Sequence, residues 1–148
     1  MNHENYYNNI CLSIVKFARD FQAAKFSAST YVDWDAHAEV NELPTGDLIG
    51  PAGIGLSTEQ VNFDYVVFAF GISTIDDPNL FRLRKTMSQL HAKLRPMTKI
   101  PIYDADTAQV ISWMVVKTPL SISPVSKAEL RAVQFINVMA LIGPDAQA

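Results

Sequence analysis

Cysteine is almost missing from this chain of 148 residues: Cys11 stands alone, so no internal disulfide and no cysteine-rich metal site can form. A lone thiol suits a reducing compartment. No apolar run approaches the roughly 18 residues of a membrane helix. The start, Met1-Asn-His-Glu-Asn, carries no basic-then-apolar leader pattern, which predicts a soluble chain that stays where it is made. Histidine is sparse too, with His3, His37 and His91 scattered and none in a metal-ligating spacing. No Gly-x-Ser-x-Gly elbow is present, and Cys11 falls on the apolar face of a predicted helix, so nucleophilic catalysis has no visible candidate.

What is present is a 49% apolar, 18% charged composition with a net charge of −3, the profile of one globular domain. The small net charge conceals two one-signed windows. From Phe26 to Phe81 there is no Lys or Arg, and Asp33, Asp35, Glu39, Glu42, Asp47, Glu59, Asp64, Asp76 and Asp77 all fall there. From Arg82 to Lys99 there is no acid, and Arg82, Arg84, Lys85, Lys93, Arg95 and Lys99 follow one another. Such segregation arises from ordinary solvated faces, or from self-complementary surfaces that join copies head to tail. A nucleic-acid reading of the basic stretch ranks below both, because aromatic and glycine-rich recognition signatures do not accompany it.

Apolar periodicity predicts a helix over about Asn5 to Ala24 through Ile10, Ile14, Ala18 and Phe21. Strand signals over Ser29 to Val40 are weak. There Asp33, Asp35, His37 and Glu39 alternate; on a strand they would share one face, either simply solvated or able to chelate a hard cation. Residues 43–58 hold four of the six glycines and two prolines, and read as a loop or loose hairpin arm. Its Leu48, Ile49, Ile54 and Leu56 suit a segment that orders against a partner, the alternative being a mobile loop.

Val61 to Ile72 reads as a central strand. Asp77 and Pro78 then suit the N-cap and first turn of a helix carrying Leu80, Leu83, Met87, Leu90 and Leu94, ended by Pro96. A strand follows over Gln109 to Lys117, then a loop punctuated by Pro119 and Pro124. Lys127 to Ile142 combines a capping-box pair, Ser126 and Glu129, with strand-like alternation, and is assigned to a strand. Residues 143–148 read as a flexible tail. The expectation is an α+β fold: an antiparallel or mixed sheet of about four strands, two main helices packed on it, and a glycine-rich arm.

In layout the chain resembles the tail terminator proteins of tailed bacteriophages. The likeness is carried by Val61-Asn-Phe-Asp-Tyr-Val-Val-Phe-Ala-Phe leading into the Pro78 helix, and by the closing Arg131-Ala-Val-Gln-Phe-Ile-Asn-Val-Met. The resemblance implies a structural virion protein, assembled in the host cytoplasm, that forms a ring (a homohexamer) at the head-proximal end of the tail. Such a ring stops tail-tube polymerisation and joins the tail to the head connector. Its implied partners are further copies of itself, the tube protein, the connector or neck protein, and the sheath in a contractile tail. No catalytic residue, cofactor, metal, membrane or direct nucleic-acid contact is implied. On this reading the subunit and partner contacts fall to Arg82, Arg84, Lys85, Lys93 and Arg95, to Asp33, Asp35 and Glu39, and to Leu48, Ile49 and Ile54. Other neck, tail-completion or minor baseplate proteins would use the same physics, and a small cytosolic enzyme or ligand-binding protein would be sought first along the Asp33 to Glu39 row.

Overall fold

Ile10, Ile14, Ala18 and Phe21 recur at steps of three and four, and this stripe is buried along helix α1, Tyr6–Lys25. The computed structural model describes residues 3–36, 43–58, 63–128 and 130–143. The remaining elements are β1 (Thr30–Tyr31), β2 (Leu48–Ser57), β3 (Asp64–Ile75), α2 (Phe81–Lys93), β4 (Lys99–Tyr103), β5 (Val110–Ile122), β6 (Ser126–Ala128) and β7 (Arg131–Ile142). The strands form one seven-stranded sheet in the order β1-β2-β3-β7-β5-β4, with β6 pairing on β7. Only the short β1–β2 pair is parallel. The class is therefore α+β, as expected, with seven strands in place of about four.

The extra strands come from places where punctuation residues hide strand character. The expected glycine-rich arm is β2, a full strand antiparallel to β3 with an irregularity between Ala52 and Gly55, where Gly53 takes φ +61°. The expected loop at Pro119 is the second half of β5, which runs on to Ile122 across a register shift between Lys117 and Ser121. The predicted strand row at Asp33 is instead a 3-10 turn over Trp34–Ala36, so alternation there does not put Asp33 and Asp35 on a strand face. His37 and Glu39 lie outside the described residues, as do the tail from residue 144 onward and Glu129 of the capping-box pair.

One face of the sheet carries Val66, Phe68, Phe70 and Ile72 from β3 and Ile136, Val138, Ala140 and Ile142 from β7, with Val66, Phe68 and Phe70 directly opposite Ala140, Val138 and Ile136. Both helices bury their stripes against this face in a single hydrophobic cluster, α2 through Leu83, Met87 and Leu90. Phe17 of α1 stacks on Phe70 at 5.4 Å. The sheet curls far enough for α1 to reach the long strands near both of its margins, β2 and β4. Two polar residues on the buried side of α1 make the second of these contacts specific: Tyr103 N–H donates to Ser13 Oγ (2.8 Å) and Ala105 N–H to Asn9 Oδ1 (2.9 Å). On the other side the Tyr7 hydroxyl donates to the Ile54 carbonyl (3.1 Å).

These contacts also blunt both margins. Pro51 in β2 and Pro101 in β4 have no N–H to offer a foreign strand, and two residues further on the amides of Gly53 and Tyr103 are taken by side-chain oxygens, those of Asp35 and Ser13. Strand addition is thereby disfavoured along β4 and along the part of β2 beyond the short β1.

The opposite face is only partly covered. Gly50 and Gly71 are register partners, and the chain at residues 32–36 passes over them. A Cβ at Gly50 would lie 1.5 Å from the Val32 carbonyl oxygen, and one at Gly71 2.5 Å from both Trp34 Nε1 and Phe135 Cε1. The absent side chains are what let the crossing segment sit flat, with Trp34 Nε1–H donating to the Gly71 carbonyl (3.1 Å) and its ring edge-on to Phe135.

Candidate assembly surface

Helix α2 begins later than Asp77 and Pro78 suggested. Leu80 adopts a left-handed conformation (φ 57°), which turns the chain so that Phe81 is the first helical residue. Asp77 still caps it from outside: its carboxylate accepts the amides of Phe81 (3.0 Å), Arg82 (3.4 Å) and Leu83 (3.1 Å), and the Thr74 hydroxyl. Burial pushes the Asp77 carboxyl up, but the Leu83 amide, the Thr74 hydroxyl, the Arg82 amide and the Arg82 charge together outweigh it and hold it below the ordinary carboxylate value.

The sequence-predicted contact residues divide sharply. Arg82 turns inward: it forms a two-pronged bond to Asp47 (3.0 and 3.1 Å), donates to the Ile75 carbonyl (2.6 Å) and lies 4.0 Å from Asp77. The Asp47 hydrogen bond raises the guanidinium's proton affinity further. Leu48 and Ile49, expected at a partner interface, are 0% and 1% exposed and belong to the interior. Ile54 is half-buried against the core. Asp35 is exposed but accepts Gly53 N–H, and Asp33 caps the 3-10 turn by accepting Asp35 N–H (3.1 Å). Glu39 is outside the described residues. Arg84, Lys85, Lys93 and Arg95 are exposed, and no carboxylate lies within ion-pair distance of them among the described residues.

The acidic window is thus only partly a surface: Asp33, Asp35 and Asp76 are exposed, while the other described acids are used inside the molecule. Asp47 neutralises Arg82, Asp77 caps α2, and Asp64 is buried, accepting the Tyr6 hydroxyl at 2.5 Å with its second oxygen unpartnered. Burial first, and then that contact, raise the Tyr6 hydroxyl well above its ordinary pKa. Three of the six described acids of the window are consumed inside the molecule, whereas of the basic window only Arg82 is.

Three features went unseen in the sequence. Arg131, 9% exposed, has no carboxylate partner among the described residues and donates to the carbonyls of Gly46 (2.9 Å) and Pro44 (3.0 Å) and to Ser73 Oγ (2.9 Å), pinning the segment before β2. A cleft of about 570 Å³ between the β3–α2 connection and the start of β7 is lined by Asp76, Asp77, Lys127, Leu130 and Arg131. Its buried ionic groups, Asp77 and Arg131, are the two whose bonds are already filled. The third is the uncovered part of the sheet's second face, where Val67 and Trp113 are each 48% exposed and Met139 and Leu141 half-buried. Alternation marks this row as strand but cannot say that no helix lies over it.

Among the described residues no three His, Cys, Asp or Glu side chains converge as a metal site requires, and no helix is long and apolar enough to cross a membrane. Cys11 is half-buried beside Tyr7, and burial pushes its thiol up.

No family model and no curated protein matches the chain. Among solved structures nine chains match; one of them aligns at a TM-score of 0.50 and 10% identity, covering 84% of this chain and 95% of that one, a likeness of fold alone.

Proposed function

We propose that the chain is a structural assembly subunit of a tailed-phage particle, forming a ring at the head-proximal end of the tail that terminates the tube and joins it to the head connector. The observation that carries this reading is the sheet with one face closed by two helices and the other left with half-exposed Val67 and Trp113, together with a helix on the covered side whose Arg84, Lys85 and Lys93 pair with no carboxylate among the described residues. A face of that kind has a use in a particle, where neighbours cover it, and is a liability on a free monomer. The blunting of β4 and of most of β2 disfavours joining by strand extension, which suits a ring that must close instead of growing.

Termination on this reading is a matter of two unlike surfaces: one pairs with the last ring of the tube, and the opposite one offers the tube nothing to add to. The resemblance in layout supports the choice of particle. The test is the mass in solution by light scattering together with negative-stain imaging, alone and with tube protein present. A six-fold ring with a central hole is the expected result, and a chain that stays monomeric in both conditions overturns the reading.

A further inference from the structure

Charge along α1 is separated between its two ends, and the separation involves residues that the one-signed windows do not pair. At the N-terminal end, the turn after β4 is tied down by Ala105 N–H to Asn9 and by Asn5 Nδ2 to Asp106 Oδ2 (3.3 Å), which sets Asp104 and Asp106 beside the start of the helix. Asp106 is exposed. At the C-terminal end, an open cleft of about 420 Å³ runs between the helices, lined by Lys25, Phe26, Lys85, Thr86 and Gln89 together with Arg82, whose charge Asp47 already balances. No carboxylate pairs with Lys25 or Lys85 among the described residues. The two regions are separated by the length of a 20-residue helix, about 30 Å at 1.5 Å per residue.

We infer that the Asp104–Asp106 turn of one copy docks into the Lys25–Lys85 cleft of the next, so that copies join acidic end to basic end. The inference rests on the assembly reading above and specifies its subunit contact. Three properties favour this occupant. The turn is short, exposed at Asp106, and braced by the Asp104 carboxylate, which accepts the amides of Asp106 (2.8 Å) and Thr107 (3.0 Å). The cleft carries the unpaired positive charges of Lys25 and Lys85, opposite in sign to the turn. Two different surfaces in contact make a heterologous interface, the type from which rings are built.

The experiment uses the full chain with two exposed substitutions, Lys85→Glu and Asp106→Lys, neither of which touches the core, with unchanged circular dichroism and melting temperature as the folding control. Each variant alone brings like charges together and is expected to weaken association about tenfold or more by light scattering and sedimentation. An equimolar mixture is the discriminating arm. A Lys85→Glu copy keeps the acidic turn and an Asp106→Lys copy keeps the basic cleft, so these two surfaces meet as in wild type, while the introduced lysine of one copy faces the introduced glutamate of the other at the alternate contact; the mixture is expected to regain the wild-type mass. Variants that assemble like wild type, or a mixture that stays dissociated, overturn the inference and leave the ring reading standing. An assembly that stops at two copies overturns the head-to-tail arrangement. A wild-type chain that never associates, with or without tube protein, overturns the proposed function and this inference with it.

Discussion

The two faces of the sheet are built from the same strands and have opposite fates. On the covered face the apolar residues of β3 and β7 join the two helices in one cluster, and Val66, Phe70, Ile72, Ile136 and Ala140 are each at most 1% exposed. On the other face the intervening residues meet the short crossing segment over Gly50 and Gly71, and beyond it they meet solvent. The comparison separates what holds the monomer together from what is left over for other molecules: burial of apolar area stabilises the first face, while the second spends little of its apolar surface on folding.

The sharpest way to break that contrast is to truncate one residue on each face. Phe70→Ala removes a 1% exposed ring stacked on Phe17 and leaves a cavity between α1 and β3, with an expected loss of about 3–5 kcal/mol by urea unfolding. If Val67→Ala on the open face costs as much, the two faces do not differ as described.

The crossing segment gives a second, smaller effect. Gly71→Ala places a methyl 2.5 Å from Trp34 and Phe135 side-chain atoms, and both rings must shift; overpacking of this kind costs about 1–3 kcal/mol. A change in Trp34 fluorescence should accompany the loss. Gly50→Ala should cost more than Gly71→Ala, because the obstacle there is the Val32 backbone, which cannot rotate aside. Equal melting temperatures for wild type and both variants would mean that the segment does not lie on the sheet.

These glycines also show why part of the fold was legible and part was not. Helix α2 and the central strands could be read because each has one apolar side with an unbroken period: Leu83, Met87 and Leu90 in one case, Val66, Phe68 and Phe70 in the other. In β2 the residues at the positions facing the crossing segment are small because another part of the chain approaches them, and a glycine required by a long-range contact looks the same in sequence as one required by a loop. The same locality misled the charge reading. Asp47 and Arg82 are 35 residues apart and sit in windows of opposite sign, yet they neutralise each other in one molecule. Asp104 and Asp106 lie in a turn, and only their position at one end of α1, away from Lys25 and Lys85, gives them a place in the candidate surface. The exposed Arg84, Lys85, Lys93 and Arg95 were legible because a helix with one apolar stripe must leave its other positions in water.

Helix α2 packs on the sheet through its apolar stripe and is held at its N-terminus by Asp77, and Asp77→Ala tests that hold. Loss of the cap to three amides should cost about 1 kcal/mol at pH 7, within the 0.5–2 range for such caps. The sign of the pH effect follows from the depressed carboxyl: the folded state binds this proton less readily than the unfolded chain, so the contribution is present above the ordinary value of 3.8 and is lost as pH falls through the lower folded value. The gap in urea midpoint between wild type and variant should therefore be widest near neutrality and narrow below about pH 4. A gap that stays constant down to pH 2 would assign the cost to something other than the carboxylate.

The smallest expected effect is on the open face itself. Val67→Ser replaces a side chain that is 48% exposed and faces Met139 across the strand pair, so the monomer should change by no more than about 0.5 kcal/mol. If the face is covered in the particle, the same substitution removes apolar contact at the covered site and weakens assembly with copies or tube protein, although the melting temperature of the monomer is unmoved. Stability and association then come apart at Val67 and move together at Phe70, where truncation loosens the fold before it reaches any surface. A Val67→Ser chain that melts as wild type and also assembles as wild type would mean that the uncovered face stays in solvent, and the charged ends of α1 would then have to carry the contacts alone.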